Sequence, residues 1–243
     1  MKNFFYAFAI VMVSCLISCK KDDNGSGDPA TARVKTYTED YTSGIDHVVN
    51  TFNLNYDSDG RLTSMVATGN SGDRFQLSYE KNTVTMELYA GHELALHTLC
   101  FLNTQNNIDS TIQYNNTNDF SSERYFYNSQ NRLSRYIEYD YYGPIPEITN
   151  VSDYTFDANG NIAQVKDRFS LTTYEYFTEY RNAPNLGFPS FPKSENLVKS
   201  TTMTFGYTPQ VWNHTYTFDT KKRLTSETIS SSTGEVLVKS YTY

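Results

Sequence analysis

The chain has 243 residues, a net charge of −7 and a pI near 5.1. Phosphate binding needs a basic face, so this balance argues against a nucleic-acid partner. With 21 tyrosines and 15 phenylalanines, both suited to pleated and half-buried surfaces, the composition points to β-structure.

The first 18 residues read as a signal peptide. Lys2 gives a positive start, and the apolar stretch 4–17 is shorter than the roughly 20 residues needed to span a bilayer. Leu16-Ile17-Ser18-Cys19 resembles the lipobox of bacterial lipoproteins. The resemblance implies cleavage before Cys19 and a diacylglycerol on its sulfur. Ser14-Cys15 fits less well, because Met12 would take the place of Leu16. Lys20-Lys21-Asp22-Asp23 resembles the export signal of surface lipoproteins of Bacteroidota. Residues 19–32, with Asn24-Gly25-Ser26-Gly27-Asp28-Pro29, read as a flexible tether, and residues 33–243 as one β domain. Cys15 leaves with the signal and Cys19 carries lipid, so Cys100 stands alone and no disulfide framework forms. Cys100 reads as a small buried hydrophobe.

Residues 34–41 form the first expected strand, and Ser43-Gly44 its turn. Phe52, Leu54 and Tyr56 then alternate with polar residues, the period of a half-buried strand. Asp57-Ser58-Asp59-Gly60 breaks the alternation before Arg61-Leu62. Asp57 can accept a backbone N–H, and Gly60 supplies the positive φ that ends a type I turn with a bulge. That geometry places Tyr56 opposite Leu62 and Leu54 opposite Ser64.

The unit recurs at Leu102-Asn103, Tyr127-Asn128, Phe156-Asp157 and Phe218-Asp219, each with Leu or Ile six positions after the first residue. The place of Gly60 is taken by Asn106, Asn131 and Gly160, all tolerant of left-handed φ. Lys222 breaks this pattern, so a different turn is expected there. Tyr79-Glu80-Lys81-Asn82 is a weaker copy. Further strands are expected around Val84-Met86-Leu88, along residues 134–141 and 173–180, and from Leu197 to the end. Tyr56-Asp57-x-x-Gly60-Arg61-Leu62 resembles the tyrosine–aspartate (Rhs-type) repeat, whose long forms build antiparallel hairpins into a shell. A closer resemblance is to Bacteroidota lipoproteins that carry a few such repeats and a porin-like β fold. It implies a fold and a compartment and no activity; together with the lipobox and the export signal, the expectation is an outer-membrane, lipid-anchored protein exposed at the cell surface, with the periplasmic face as the alternative.

The expected architecture is all-β: an antiparallel meander of hairpins, roughly 14 to 18 strands, strongly curled or closed into a barrel. An integral outer-membrane barrel is the alternative, since Tyr241-Thr242-Tyr243 resembles the aromatic end of such proteins. Charges on the non-aromatic strand faces oppose it. The stretch 181–194, with Pro184, Pro189 and Pro192 among Leu186, Phe188 and Phe191, reads as an apolar loop capping one end.

Candidate chemistry is sparse. His92 and His97 are one residue too far apart for the zinc motif H-E-x-x-H, and no metal or cofactor is expected. Glu175 and Glu179 share a face but lie about 13 Å apart at strand rise, outside the glycosidase range. Glu138 and Asp140 sit in a solvated-looking stripe. Asp109-Ser110-Thr111 resembles an O-glycosylation acceptor of Bacteroidota. The expectation is a non-catalytic binding module for an extracellular glycan or protein, with an envelope structural or assembly role as the second reading. Trp212, expected in a loop beside Pro209 and His214, and Phe188 and Phe191 are the stacking candidates. Asp57, Gly60, Asn128, Asn131, Asp157, Gly160 and Asp219 are expected to build turns.

Overall fold

A computed structural model describes residues 33–243, except 70, 116–119, 142–144 and 182–193. The described residues form sixteen strands: β1 (Thr36–Ser43), β2 (Asp46–Tyr56), β3 (Leu62–Ala67), β4 (Arg74–Tyr79), β5 (Thr83–Ala90), β6 (Glu93–Leu102), β7 (Ile108–Asn115) and β8 (Phe120–Tyr127). They continue with β9 (Leu133–Asp140), β10 (Glu147–Phe156), β11 (Ile162–Lys166), β12 (Ser170–Arg181), β13 (Asn196–Phe205), β14 (Thr208–Phe218), β15 (Leu224–Ser231) and β16 (Val236–Thr242). Each strand pairs antiparallel with its sequence neighbours, and β16 pairs with β1. The sheet is a closed barrel, one of the two forms the sequence left open, the other being a strongly curled sheet.

Two kinds of turn alternate around it. Every even strand from β2 to β14 ends on one rim, where the repeated Asp/Asn turns sit. In each, the side chain caps the backbone: Asp57 Oδ1 accepts from Arg61 N at 2.8 Å. Asn103, Asn128, Asp157 and Asp219 accept in the same way from residues 107, 132, 161 and 223. Positive φ falls at the expected place, +75° at Gly60, 61° at Asn106, 58° at Asn131 and 90° at Gly160. Lys222 corrects the expectation of a different turn. It takes φ 61° and builds the same hairpin, because the cap from Asp219 and the flanking ladder outweigh the cost of a left-handed lysine.

The register also differs in one respect. Tyr56 faces Leu62 as expected, but Leu54 faces Met65 rather than Ser64. A second bulge at Thr63 takes up the extra residue, and its hydroxyl donates to Asn55 O at 3.1 Å. The same slip follows Ile108, Leu133, Ile162 and Leu224. Each bulge turns two residues three apart, such as Leu62 and Met65, toward the inside and sharpens strand coiling, which a closed sheet needs.

The first aromatic of the repeat has a structural task. Tyr56 donates its hydroxyl to Val34 O, Tyr79 to Leu62 O, Tyr127 to Ile108 O and Tyr243 to Leu224 O, at 2.6–2.9 Å. Each hydroxyl reaches back to the preceding hairpin. The arginine of the turn packs over the next aromatic: Arg61 over Tyr79 at 4.5 Å and Arg223 over Tyr243 at 4.4 Å. The final repeat is split across the seam. Tyr243 supplies its aromatic, and Arg33-Val34 supplies its arginine and apolar residue, with Lys35 N bonded to Thr242 O.

Inner and outer faces differ in kind. Inward-facing Tyr37, Phe52, Leu62, Met65, Phe75, Val84, Cys100, Ile108 and Leu133 are buried in one apolar cluster. Along β1 the inner residues go from buried Tyr37 and Glu39 to half-exposed Tyr41. Burial therefore deepens toward the Asp-turn rim and eases toward the opposite rim. The outer face alternates with the core and is rich in Ser and Thr: Thr36, Thr38 and Thr42 on β1, Thr202 and Thr204 on β13. It also carries ion pairs, Arg135 with Asp153 at 2.6 Å and Lys199 with Glu175 at 3.7 Å.

Candidate functional site

Two polar groups of side chains are built into the inner wall. On β15, Glu227 faces Lys239 of β16 and Tyr216 of β14. Its carboxylate accepts from His214 Nδ1 at 2.9 Å and from the Tyr216 hydroxyl at 3.1 Å, and pairs with Lys239 Nζ at 3.4 Å. Burial pushes the Glu227 carboxyl up, but Lys239, His214 and Tyr216 outweigh it and hold it down at about 2. Lys239 lies directly across from Glu39, also buried, whose carboxyl is raised by burial despite the Tyr37 hydroxyl and Lys239. One buried ammonium thus serves two buried carboxylates.

The second group centres on Glu123 of β8. It accepts from Thr111 and Tyr125 at 2.6 Å each and from Tyr136 at 3.0 Å. Glu138 faces it across β9, and burial followed by Glu123 and Asp140 raises the Glu138 carboxyl. Glu138 and Asp140 are not a solvated stripe, as the alternation suggested; they line the inner wall opposite Arg135 and Ile137. Cys100 is buried as expected, its thiol pushed up to about 12 by burial and then by Glu123. Such a thiol is unreactive.

The other sequence candidates separate. Trp212 is not in a loop. It sits within β14, between Thr201 and Ser231, half-buried near the opposite rim. Cys19, Phe188 and Phe191 lie outside the described residues, as does most of the proline-rich stretch. The turn candidates Asp57, Gly60, Asn128, Asn131, Asp157, Gly160 and Asp219 are brought together on one rim as structural elements. His97 pairs with Glu87 at 3.4 Å, and His92 sits in the β5–β6 turn. No cluster of three metal-ligating side chains occurs among the described residues. Thr111 of the acceptor-like tripeptide is buried at 1% exposure, inside the wall.

Sequence reasoning missed the opposite rim. Its turns present apolar side chains to solvent: Ile45 at 102%, Tyr207 at 103%, Ile145 at 75% and Phe169 at 69% exposure. Of the large exposed hydrophobics among the described residues, only Phe126, Tyr180 and Phe218 lie toward the Asp-turn rim. The signal was present in Gly44-Ile45-Asp46 and Gly206-Tyr207-Thr208, where an apolar residue follows the turn glycine. Single apolar residues in separate turns show no period, so only closure of the barrel reveals that they share a rim.

The barrel geometry has known counterparts. A porin-like protein from Bacteroides uniformis superposes with a TM-score of 0.65 at 13% identity, over 86% of this chain and 97% of that one. A porin-like protein from Bacteroides vulgatus gives 0.57 at 13% identity, over 87% and 98%. The chain shares their fold. No family profile matches the sequence, and no curated protein does.

Proposed function

We propose that this chain is a non-catalytic binding barrel of the bacterial outer membrane, tethered through lipid on Cys19, whose apolar rim captures an extracellular glycan or protein. The asymmetry of the two rims carries the reading. Among the described residues, one rim carries the capped Asp/Asn turns, and Arg33, where the tether joins, belongs to it. The other displays Ile45, Ile145, Phe169 and Tyr207 to solvent. Soluble proteins seldom expose apolar groups together in this way without a partner. A tether at the Asp-turn rim turns the apolar rim away from the lipid. Trp212, half-buried inside that rim, is the stacking residue for a sugar ring.

The integral barrel is the weaker reading. A lipid-facing band is apolar over about 25 Å, whereas this outer face carries Ser, Thr and the Arg135–Asp153 pair. Two measurements test the proposal. Mature protein should carry diacylglycerol on Cys19, and Cys19→Ala should be recovered without detergent as a monomer. A glycan array and an envelope-protein pull-down, read with Ile45→Ser/Tyr207→Ser and with Trp212→Ala, should each show ligand capture lost on substitution. Capture unaffected by all three substitutions would defeat the rim reading; a Cys19→Ala protein that still needs detergent would restore the integral barrel.

A further inference from the structure

The barrel is closed, yet it contains a length of unpaired strand. β10 has ten residues and β11 only five. β9 covers β10 from Glu147 to Asp153, but β11 begins to pair only at Asp153. Residues 147–152 therefore have no ladder partner on the β11 side among the described residues. Other overhangs occur among the described residues at 46–51 of β2 on its β3 side and, longer, at 174–181 of β12 on its β11 side. Beside β10 the overhang borders a notch of about 280 Å³. Ile148, Asn150 and Val151 line one wall, and Lys166, Asp167 and Arg168 of the β11–β12 turn form its floor.

The charges of the floor are unequal in engagement. Asp153 is held bidentate by Arg135 at 2.6 and 3.2 Å. Asp167 caps the turn, accepting from Phe169 N and from both the backbone and hydroxyl of Ser170. Lys166 and Arg168, in contrast, make no ion pair within 4.0 Å among the described residues. Arg168 lies over the exposed Phe169 ring at 5.3 Å. The notch thus offers a row of backbone donors and acceptors above two cations without a close ion pair, Lys166 facing the already paired Asp153, with Glu147 as the charge at its far end.

We infer that this edge is a docking site for an extended, acidic peptide segment of a protein partner, added as a strand antiparallel to β10. Strand addition supplies the main-chain hydrogen bonds, and alternate side chains supply the choice of partner. An antiparallel segment runs from the β11–β12 turn toward Glu147. Its acidic residues therefore sit at its N-terminal end, over Lys166 and Arg168, and its later residues contact Ile148 and Val151. The overhang at β2 lacks this chemistry: His47 there is committed to Asp40 at 2.8 Å. The notch lies on the rim that carries Ile145 and Phe169 but uses none of Ile45, Tyr207 and Trp212, so its test and the test of the rim can fail separately.

The test uses the mature chain and two labelled peptides. Both are acetylated at the N-terminus; one begins with two aspartates and the other with two lysines, and each continues with alternating valine and threonine. The aspartate peptide should bind at least tenfold more tightly by fluorescence anisotropy. It should slow amide exchange at residues 147–152 and leave 46–50 unchanged. Lys166→Glu with Arg168→Glu, both exposed and checked for unchanged circular dichroism, should reverse the preference. On the unaltered protein, added salt should weaken the aspartate peptide more than a valine–threonine peptide without charge. Equal affinity for both charged peptides, or protection confined to other residues, would overturn the inference. So would an aspartate preference that survives the double reversal.

Discussion

Lys239→Met removes the cation that two buried carboxylates share while keeping most of the side-chain volume. In the native barrel Lys239 is 3% exposed, 3.4 Å from Glu227 and opposite Glu39. Breaking a buried pair by removing one partner costs about 3–5 kcal/mol. The depression of Glu227 from 4.5 to about 2 gives a consistent figure, roughly 3 kcal/mol by linkage. Unfolding entropy near 2 cal/mol/K per residue makes this a fall of roughly 7–11 °C in melting temperature for a domain of this size. The pH dependence has a definite sign. Native Glu227 is depressed, so its contribution is full above the ordinary carboxylate range and is lost as pH falls from about 4.5 to about 2. Without Lys239, burial dominates at both Glu227 and Glu39, and both carboxyls move up. The deficit of the variant is then largest at neutral pH and shrinks as acid protonates the two groups. Thermal unfolding followed by circular dichroism between pH 4.5 and 8 measures it. A variant melting within about 2 °C of the native protein at pH 7, or a deficit flat across that range, would refute the account.

Gly60→Val forces a β-branched residue to φ +75° and sets its Cβ against the Arg33 guanidinium, so it should cost at least ~1–2 kcal/mol, more than Ser58→Ala. Equal melting temperatures would contradict the turn geometry. Lys222→Gly relieves a left-handed residue in an identical turn and should raise stability by about 1 kcal/mol in urea titration. Tyr243→Phe deletes the hydroxyl donated to Leu224 O of β15 and should cost about 0.5–1.5 kcal/mol. Amide exchange should quicken in β15 and β16 first, and uniform quickening around the barrel would count against a local contact.

Much of the fold was legible because its turns are chemically specific. Asp or Asn at the cap and Gly or Asn at the left-handed position marked four hairpins, and the alternation between them marked the strands. The second bulge was not legible, since Thr63 or Ser134 at that place looks like an ordinary polar strand residue. Lys222 hid a turn because tertiary context can impose a positive φ that propensity disfavours. Glu138 read as solvent-facing, and nothing marked His214, Glu227 or Lys239 as inner: a wide barrel places polar residues on both faces, and alternation alone cannot tell which face is inner. Trp212 was misplaced for the same reason. Pro209 beside it is tolerated close to a rim, so it marked the start of a strand rather than a loop.

The split repeat sets the order in which such a barrel can form. Every other strand pairing joins neighbours in sequence and can zip from a local hairpin. The β1–β16 seam alone joins segments about 200 residues apart, as the Tyr41 to Glu235 contact across 194 positions illustrates. Loop-closure entropy is met at that one step. Until it happens, β1 and β16 are both bare edges of an open ribbon, able to recruit a strand from any neighbouring chain. The Lys35 amide, bonded to Thr242 O, and the Tyr41 hydroxyl, bonded to Glu235, then act as a latch, and the exposure of the nascent protein to mispairing lasts as long as that latch stays open.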